Sequence, residues 1–303
     1  MKPGKGERAV QVLLALLKSS CYLALFLGMQ IVVMLPVAVI AGIQAAIGGG
    51  TADGDLTYQF LMDNSMTFSL ISGVLTLMAV LIFYRIRRKR PSEALWLRRV
   101  PAPTLWVGAA LAPGLYLVVT LVLAVLPESW IESYSEASAG LDTGGALGVL
   151  AVVVVAPVVE EFIFRGLIMT RLSRAMPGWL AIVLSAAIFG ICHGNPVWFG
   201  YAFVLGMVFG LMDWKAGSIL PSILGHVIFN GIGQMITFLP ETESGAGEGI
   251  MLLALLAVGI IAPIVDRKAV AALFHPAPKQ PILHPIQTLP TAPGVYDFDP
   301  WYE

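Results

Sequence analysis

The chain has 303 residues, of which 57% are hydrophobic and only 12% charged, with a formal net charge of −1. Soluble domains carry about 25% charged residues, so the composition excludes an ordinary soluble protein and points to one that crosses a membrane many times. The two cysteines, Cys21 and Cys192, both lie in apolar runs and imply no disulfide framework.

Taken in chain order, eight apolar runs approach the span of a bilayer, about 20 residues each: 20–47, 66–84, 104–126, 144–168, 179–192, 197–212, 218–239 and 250–265. The fifth and sixth are short and the first and fourth overlong, as tilting or a leading interfacial helix would explain. Residues 9–18 are the candidate for such an interfacial helix. No small-residue cleavage site follows a short apolar core near the N-terminus, so the first span reads as a retained anchor. The expected class is an all-α polytopic membrane protein of about eight transmembrane helices enclosing an intramembrane cavity. Its parts are an N-terminal or interfacial segment (1–19), three transmembrane helices (20–143), a core of four helices (144–239), a last span (240–272) and a Pro-rich tail (273–303).

Charge orients these spans. Basic residues cluster before span one (Lys2, Lys5, Arg8, Lys18), between two and three (Arg85 to Arg99), after four (Arg171, Arg174), between six and seven (Lys215) and after eight (Arg267, Lys268, Lys279). The alternate loops, 48–65, 127–143, 194–196 and 240–249, contain no Lys or Arg, and three of them are acidic instead. By the positive-inside rule both termini are expected in the cytoplasm, with the protein integral to a prokaryotic cytoplasmic membrane; the prokaryotic source is inferred from the lack of organelle signals. The tail from His275 carries seven prolines and reads as extended and disordered, with an aromatic-acidic end from Tyr296 to Glu303. Two readings of that end stay open, a solvated tail or a docking segment for a protein partner.

Ionisable groups at bilayer depth are costly, roughly 2.5–3.5 kcal/mol each on insertion scales. The spans hold Glu160, Glu161 and Arg165 on the fourth, His193 at the end of the fifth, and His226, Asn230 and Gln234 on the seventh. With a rise of ~1.5 Å per residue, Glu160 lies ~16 Å from the boundary at Arg171, His193 ~22 Å from Gly178, and His226 and Asn230 ~14 and ~20 Å from Gly217. Three helices thus deliver polar groups to one level near mid-bilayer. Glu161 and Arg165, at i and i+4, can pair. Glu160 is rotated ~100° away and is left to face a cavity, helped by a kink at Pro157. A carboxylate and an imidazole on one water form a general-base pair, and His226 with Asn230, on one helix face, can donate to an oxyanion. The chemistry expected is hydrolysis of an amide by activated water, and no cofactor is expected.

The sequence Glu160-Glu161-x-x-x-Arg165, then Phe189-x-x-x-His193, then His226-x-x-x-Asn230, resembles the CPBP family of intramembrane glutamic endopeptidases, the CAAX proteases and bacteriocin-processing enzymes. The resemblance covers about 144–239 and includes all three motifs in order; the flanking regions carry no such motif. It implies about eight helices and no zinc, with Glu160 and His193 activating the water, His226 and Asn230 forming the oxyanion hole, and Glu161, Arg165 and Phe189 in support. The implied partners are the lipid bilayer and a peptide or protein substrate, prenylated or membrane-embedded, with no nucleic acid. Two other classes stay open: a non-enzymatic scaffold, immunity or transport protein, and a zinc-dependent membrane protease, although no H-E-x-x-H occurs. Asp213, at a helix end, reads as a surface residue.

Overall fold

A computed structural model describes residues 5–47, 64–139 and 145–238, and helical positions within 249–272 that end in Arg267–Ala272. The tail from 273 onward, the acidic loops around Asp53 and Glu241, and much of the eighth span lie outside the described residues.

Ten helices are described: α1 (Lys5–Ile47), α2 (Ser65–Ile86), α3 (Pro91–Ala94), α4 (Ala102–Leu123), α5 (Glu128–Ala139), α6 (Ala146–Ser173), α7 (Gly178–Ile191), α8 (Pro196–Ala216), α9 (Leu220–Thr237) and α10 (Arg267–Ala272). No strand occurs among the described residues. Five of these helices are long and apolar enough to cross a membrane: α1, α2, α4, α6 and α8. α7 is shorter at 14 residues, and α9 has 18 but carries His226, Asn230 and Gln234. The protein is an all-α polytopic membrane protein.

The expected interfacial helix at 9–18 is not a separate element. α1 runs unbroken for 43 residues, because nothing at Lys18-Ser19-Ser20 breaks it. The Ser20 hydroxyl donates back to the Leu16 carbonyl at 3.1 Å, which keeps a polar side chain inside the helix. One face of the first half of α1 packs inward, with Ala15 and Ser19 buried.

α6 is the central element and touches α1, α2, α7, α8 and α9. Its residues Val159, Ile163, Phe164, Leu167, Ile168, Met169 and Leu172 form the middle of the main core, joined by Phe189 of α7 and by Leu95 and Trp96. Lipid tails are as apolar as these side chains, so packing detail holds such a bundle together and close backbone approach matters. The tightest contact is between α4 and α9. A Cβ on Gly108 would strike the Pro221 carbonyl oxygen, and one on Gly225 would meet Gly108 Cα at 3.0 Å.

The connections sort to two ends. At one, the α8–α9 turn is tied to the α3–α4 loop, with Ser218 Oγ donating to Arg98 O at 2.7 Å and Ile219 N to Trp96 O at 3.0 Å. At the other, the α7–α8 turn meets α5, with Asn195 Nδ2 donating to the carbonyl and hydroxyl of Ser133, both at 3.2 Å. The first end carries basic residues and the second, among the described residues, carries none.

Candidate active site

α6 is irregular where it carries the acids. Ala151–Val155 and Glu161–Met169 are π-helical, and the α-helical stretch Ala156–Glu160 lies between them. Pro157 accounts for the first wide turn. Ala156 N donates five residues back to Ala151 O; the next such rung would need an N–H on Pro157, which has none. Val152 O therefore gets no donor from Pro157, and Asn230 Nδ2 donates to it from α9 at 2.9 Å. A primary amide has two N–H groups, so one remains after this anchor is made. Wide turns of this kind recur at functional sites.

The two acids of α6 have different surroundings. Glu161 is fully buried, and its Oε2 lies 3.1 Å from Nε of Arg165, itself 1% exposed. Both terminal nitrogens of Arg165 lack a hydrogen-bond partner among the described residues. The guanidinium instead sits 4.5 Å from the centroid of the Phe189 ring, a cation–π contact. Glu160 is 21% exposed on its side chain and lines a cleft with Phe26 and Gln30 of α1, Ser69 and Ser72 of α2, and Val155 of α6. Gln30, a polar residue deep in an apolar run, is a lining group that the sequence reading passed over.

His226 joins the two acids. Its Nδ1 donates to Glu161 Oε1 at 2.8 Å, and its Nε2 lies 3.7 Å from Glu160 Oε2. Phe209 of α8 packs on the same ring at 5.5 Å. Phe189 is the hub of the site, since its ring meets His193 at 4.7 Å, His226 at 6.0 Å and Phe164 at 5.0 Å. His193 stands at the α7–α8 turn, where Gly194 has φ 71°. Its Nδ1 is 2.8 Å from the Phe189 carbonyl. A carbonyl can only accept, so Nδ1 carries the hydrogen and Nε2 of the neutral ring presents its lone pair. Asn195 caps α8, with Oδ1 accepting from Val197 N at 2.8 Å and Trp198 N at 3.4 Å.

The structure thus brings together Glu160, Glu161, Arg165, Phe189 and His226. It holds Asn230 against Val152, and among the described residues no hydrogen bond joins His193 to Glu160. Asp213 overturns its surface assignment: it is fully buried at the end of α8, with Oδ2 accepting from Ser222 Oγ at 2.6 Å. The left-handed Gly217 (φ 63°) folds α9 back over it. The available signal was an acid with a glycine four residues on, at the end of an apolar helix.

Residues 142–232 match the family model for type II CAAX prenyl endopeptidases, Rce1-like. That match supports a CPBP/CAAX protease assignment for this part of the chain. It runs from α6 into α9 and takes in the seven side chains given a role from the sequence, Glu160, Glu161, Arg165, Phe189, His193, His226 and Asn230, while Gln234 lies just beyond it. α1 and α2, which complete the cleft, lie outside the stretch matched to the family. No curated protein and no solved structure matches the chain. Among the described residues no group of three His, Cys, Asp or Glu side chains is arranged to hold a metal ion.

Proposed function

We propose that the protein is an intramembrane endopeptidase that hydrolyses a peptide bond of a membrane-associated or lipid-modified substrate. One observation carries the reading: the segment matched to a CAAX endopeptidase family is the segment in which two glutamates and a histidine meet inside a membrane bundle.

Glu160 is the acid with access to a cleft, and it takes the water's proton together with Nε2 of His193. Nδ1 of His193 is occupied by the Phe189 carbonyl, which leaves Nε2 as the basic nitrogen. The hydroxide so formed attacks the scissile carbonyl. As an imidazolium, His226 keeps Nδ1–H on Glu161 and donates from Nε2–H, with the second N–H of Asn230, to the oxygen that becomes negative. When the tetrahedral species collapses, the C–N bond breaks and the proton held by Glu160 passes to the departing amine nitrogen. Glu161 and Arg165 neutralise each other beneath the site; Glu161 orients His226, and Phe189 carries both imidazoles and the guanidinium on one ring. The site faces substrate near mid-bilayer, in a chain whose two termini lie in the cytoplasm by the positive-inside rule.

The test uses purified protein in detergent, a library of prenylated and plain peptides, the Glu160→Gln variant and a strong zinc chelator. Cleavage that survives chelation and vanishes in Glu160→Gln is the expected result. Loss on chelation with recovery on adding zinc would move the site to metal-dependent hydrolysis. A Glu160→Gln protein as active as the parent would overturn the role given to that carboxylate.

A further inference from the structure

We propose that Asp213, acting through Ser222, is a positioning residue that fixes where His226 stands relative to the two glutamates. α8 and α9 are antiparallel neighbours joined by the turn at Gly217, and Asp213 controls that turn from both sides. Its backbone carbonyl accepts from Gly217 N at 2.7 Å and Ser218 N at 3.3 Å. Its carboxylate crosses to α9, where Oδ2 accepts from Ser222 Oγ at 2.6 Å and Oδ1 from Ser222 N at 3.3 Å.

Those bonds complete the first turn of α9. Its orphan donors need partners from outside the helix: Leu220 N finds Ser218 Oγ at 3.3 Å, Pro221 has no N–H, Ser222 N finds Asp213, and Ile223 N finds Ile219 O at 3.0 Å. The carboxylate therefore acts as a cap supplied by another helix, and it sets how far α9 extends along α8.

The next turn of each helix links this cap to the site. Phe209 and Asp213 are i and i+4 on α8, and Ser222 and His226 are i and i+4 on α9, so each pair shares a helix face. They meet as two rungs, Asp213 with Ser222 and Phe209 with His226. His226 in turn must place Nδ1 at 2.8 Å from Glu161 and Nε2 beside Glu160. A slide or tilt of α9 that lengthens the first rung moves the imidazole off both acids. Asp213, Ser222 and Glu161 are all fully buried, so no solvent is at hand to replace a lost partner.

The catalytic consequence rests on the endopeptidase reading, whereas the geometric link does not, and two readouts separate them. The first is the ring-nitrogen NMR signal of His226 in protein labelled at its four histidines, assigned by difference from His226→Gln. Ser222→Ala and Asp213→Leu should shift or broaden the His226 signals and leave those of His193 in place. Asp213→Asn should keep them near the parent: its amide oxygen can accept from Ser222 N while its NH2 donates to Ser222 Oγ, whose own proton goes to Ile219 O at 2.9 Å. Unchanged His226 signals in both Ser222→Ala and Asp213→Leu would overturn the proposal, whether or not the protein cleaves anything. The second readout applies to any peptide cleaved in a Glu160-dependent way. Ser222→Ala should lower kcat by about ten- to a hundredfold with KM little changed, and an unchanged kcat would refute the role. If the parent cleaves no peptide, the protease reading is what suffers, and the NMR comparison alone decides the positioning claim.

Discussion

Replacing Arg165 by alanine should be among the most damaging single changes in this chain, and the reason is electrostatic. The guanidinium is 1% exposed and its Nε lies 3.1 Å from a carboxylate with no exposure at all. At that separation the Coulomb attraction is about 5 kcal/mol for an effective dielectric of about 20. Removing one member of a buried pair leaves the other uncompensated and typically costs about 3–5 kcal/mol. Loss of the contact with Phe189 adds about 0.5–2 kcal/mol. Asn230→Ala removes a single hydrogen bond to Val152, worth about 0.6 kcal/mol on average between membrane helices and about 1.7 at most. The two variants should therefore separate clearly in denaturation by SDS in mixed micelles, monitored by circular dichroism. Arg165→Ala should give low yields and an early transition, and Asn230→Ala a transition near the parent's. The double variant Glu161→Gln/Arg165→Met should recover much of the loss, because it removes both members of the ion pair together. Equal stability losses for Arg165→Ala and Asn230→Ala, or no recovery in the double variant, would refute the claim that the pair is a mutually neutralising unit.

Other parts of the bundle lead to three further outcomes. Because Pro157 cannot supply an N–H to Val152 O, Asn230→Ala should cost less in a Pro157→Ala background than in the parent. That difference is measurable as a double-mutant cycle of up to about 1.7 kcal/mol, and additivity would contradict the link. Gly108→Leu should separate α4 from α9, since even a methyl group there meets the Pro221 carbonyl; overpacking costs about 1–3 kcal/mol, and a parent-like transition would mean that the helices part easily. A reporter fused after Glu303 should be active in the cytoplasm, as the positive-inside rule predicts from the basic loops, and an external signal would reverse the topology.

Much of this arrangement was legible because helical spacing is a strong constraint. Glu161 and Arg165 at i and i+4 had to be neighbours, and Glu160, one step round the helix, had to face elsewhere; one acid is fully buried and the other lines a cleft. What spacing cannot convey is how one helix meets another. The sequence placed Pro157 at a kink but gave no hint that the freed carbonyl would be Val152 or that Asn230 would reach it. Nor did it show that both imidazoles would share the Phe189 ring. Asp213 was misread because a charge at a helix end is ordinarily solvated, and only the fold-back at Gly217 buries it. α5 went unread because its composition is that of a polar loop; its place comes from Asn195 and Ser133, 62 positions apart.

The wide turns of α6 make the site sensitive to the length of the helix that carries it. A turn closed by a five-residue step holds one residue more than an α-helical turn, so each can be regarded as an α-helix that has accepted an insertion without breaking. The reverse change needs no new chemistry. Deleting one residue within 151–155 would let the segment relax to ordinary α-helix, turning the N-terminal part of α6 against its C-terminal part by about 100°. Val152 and Glu160 could then no longer both face α9, although every side chain named above would still be present. In this fold a change of length by one would take the site's side chains apart without replacing any of them.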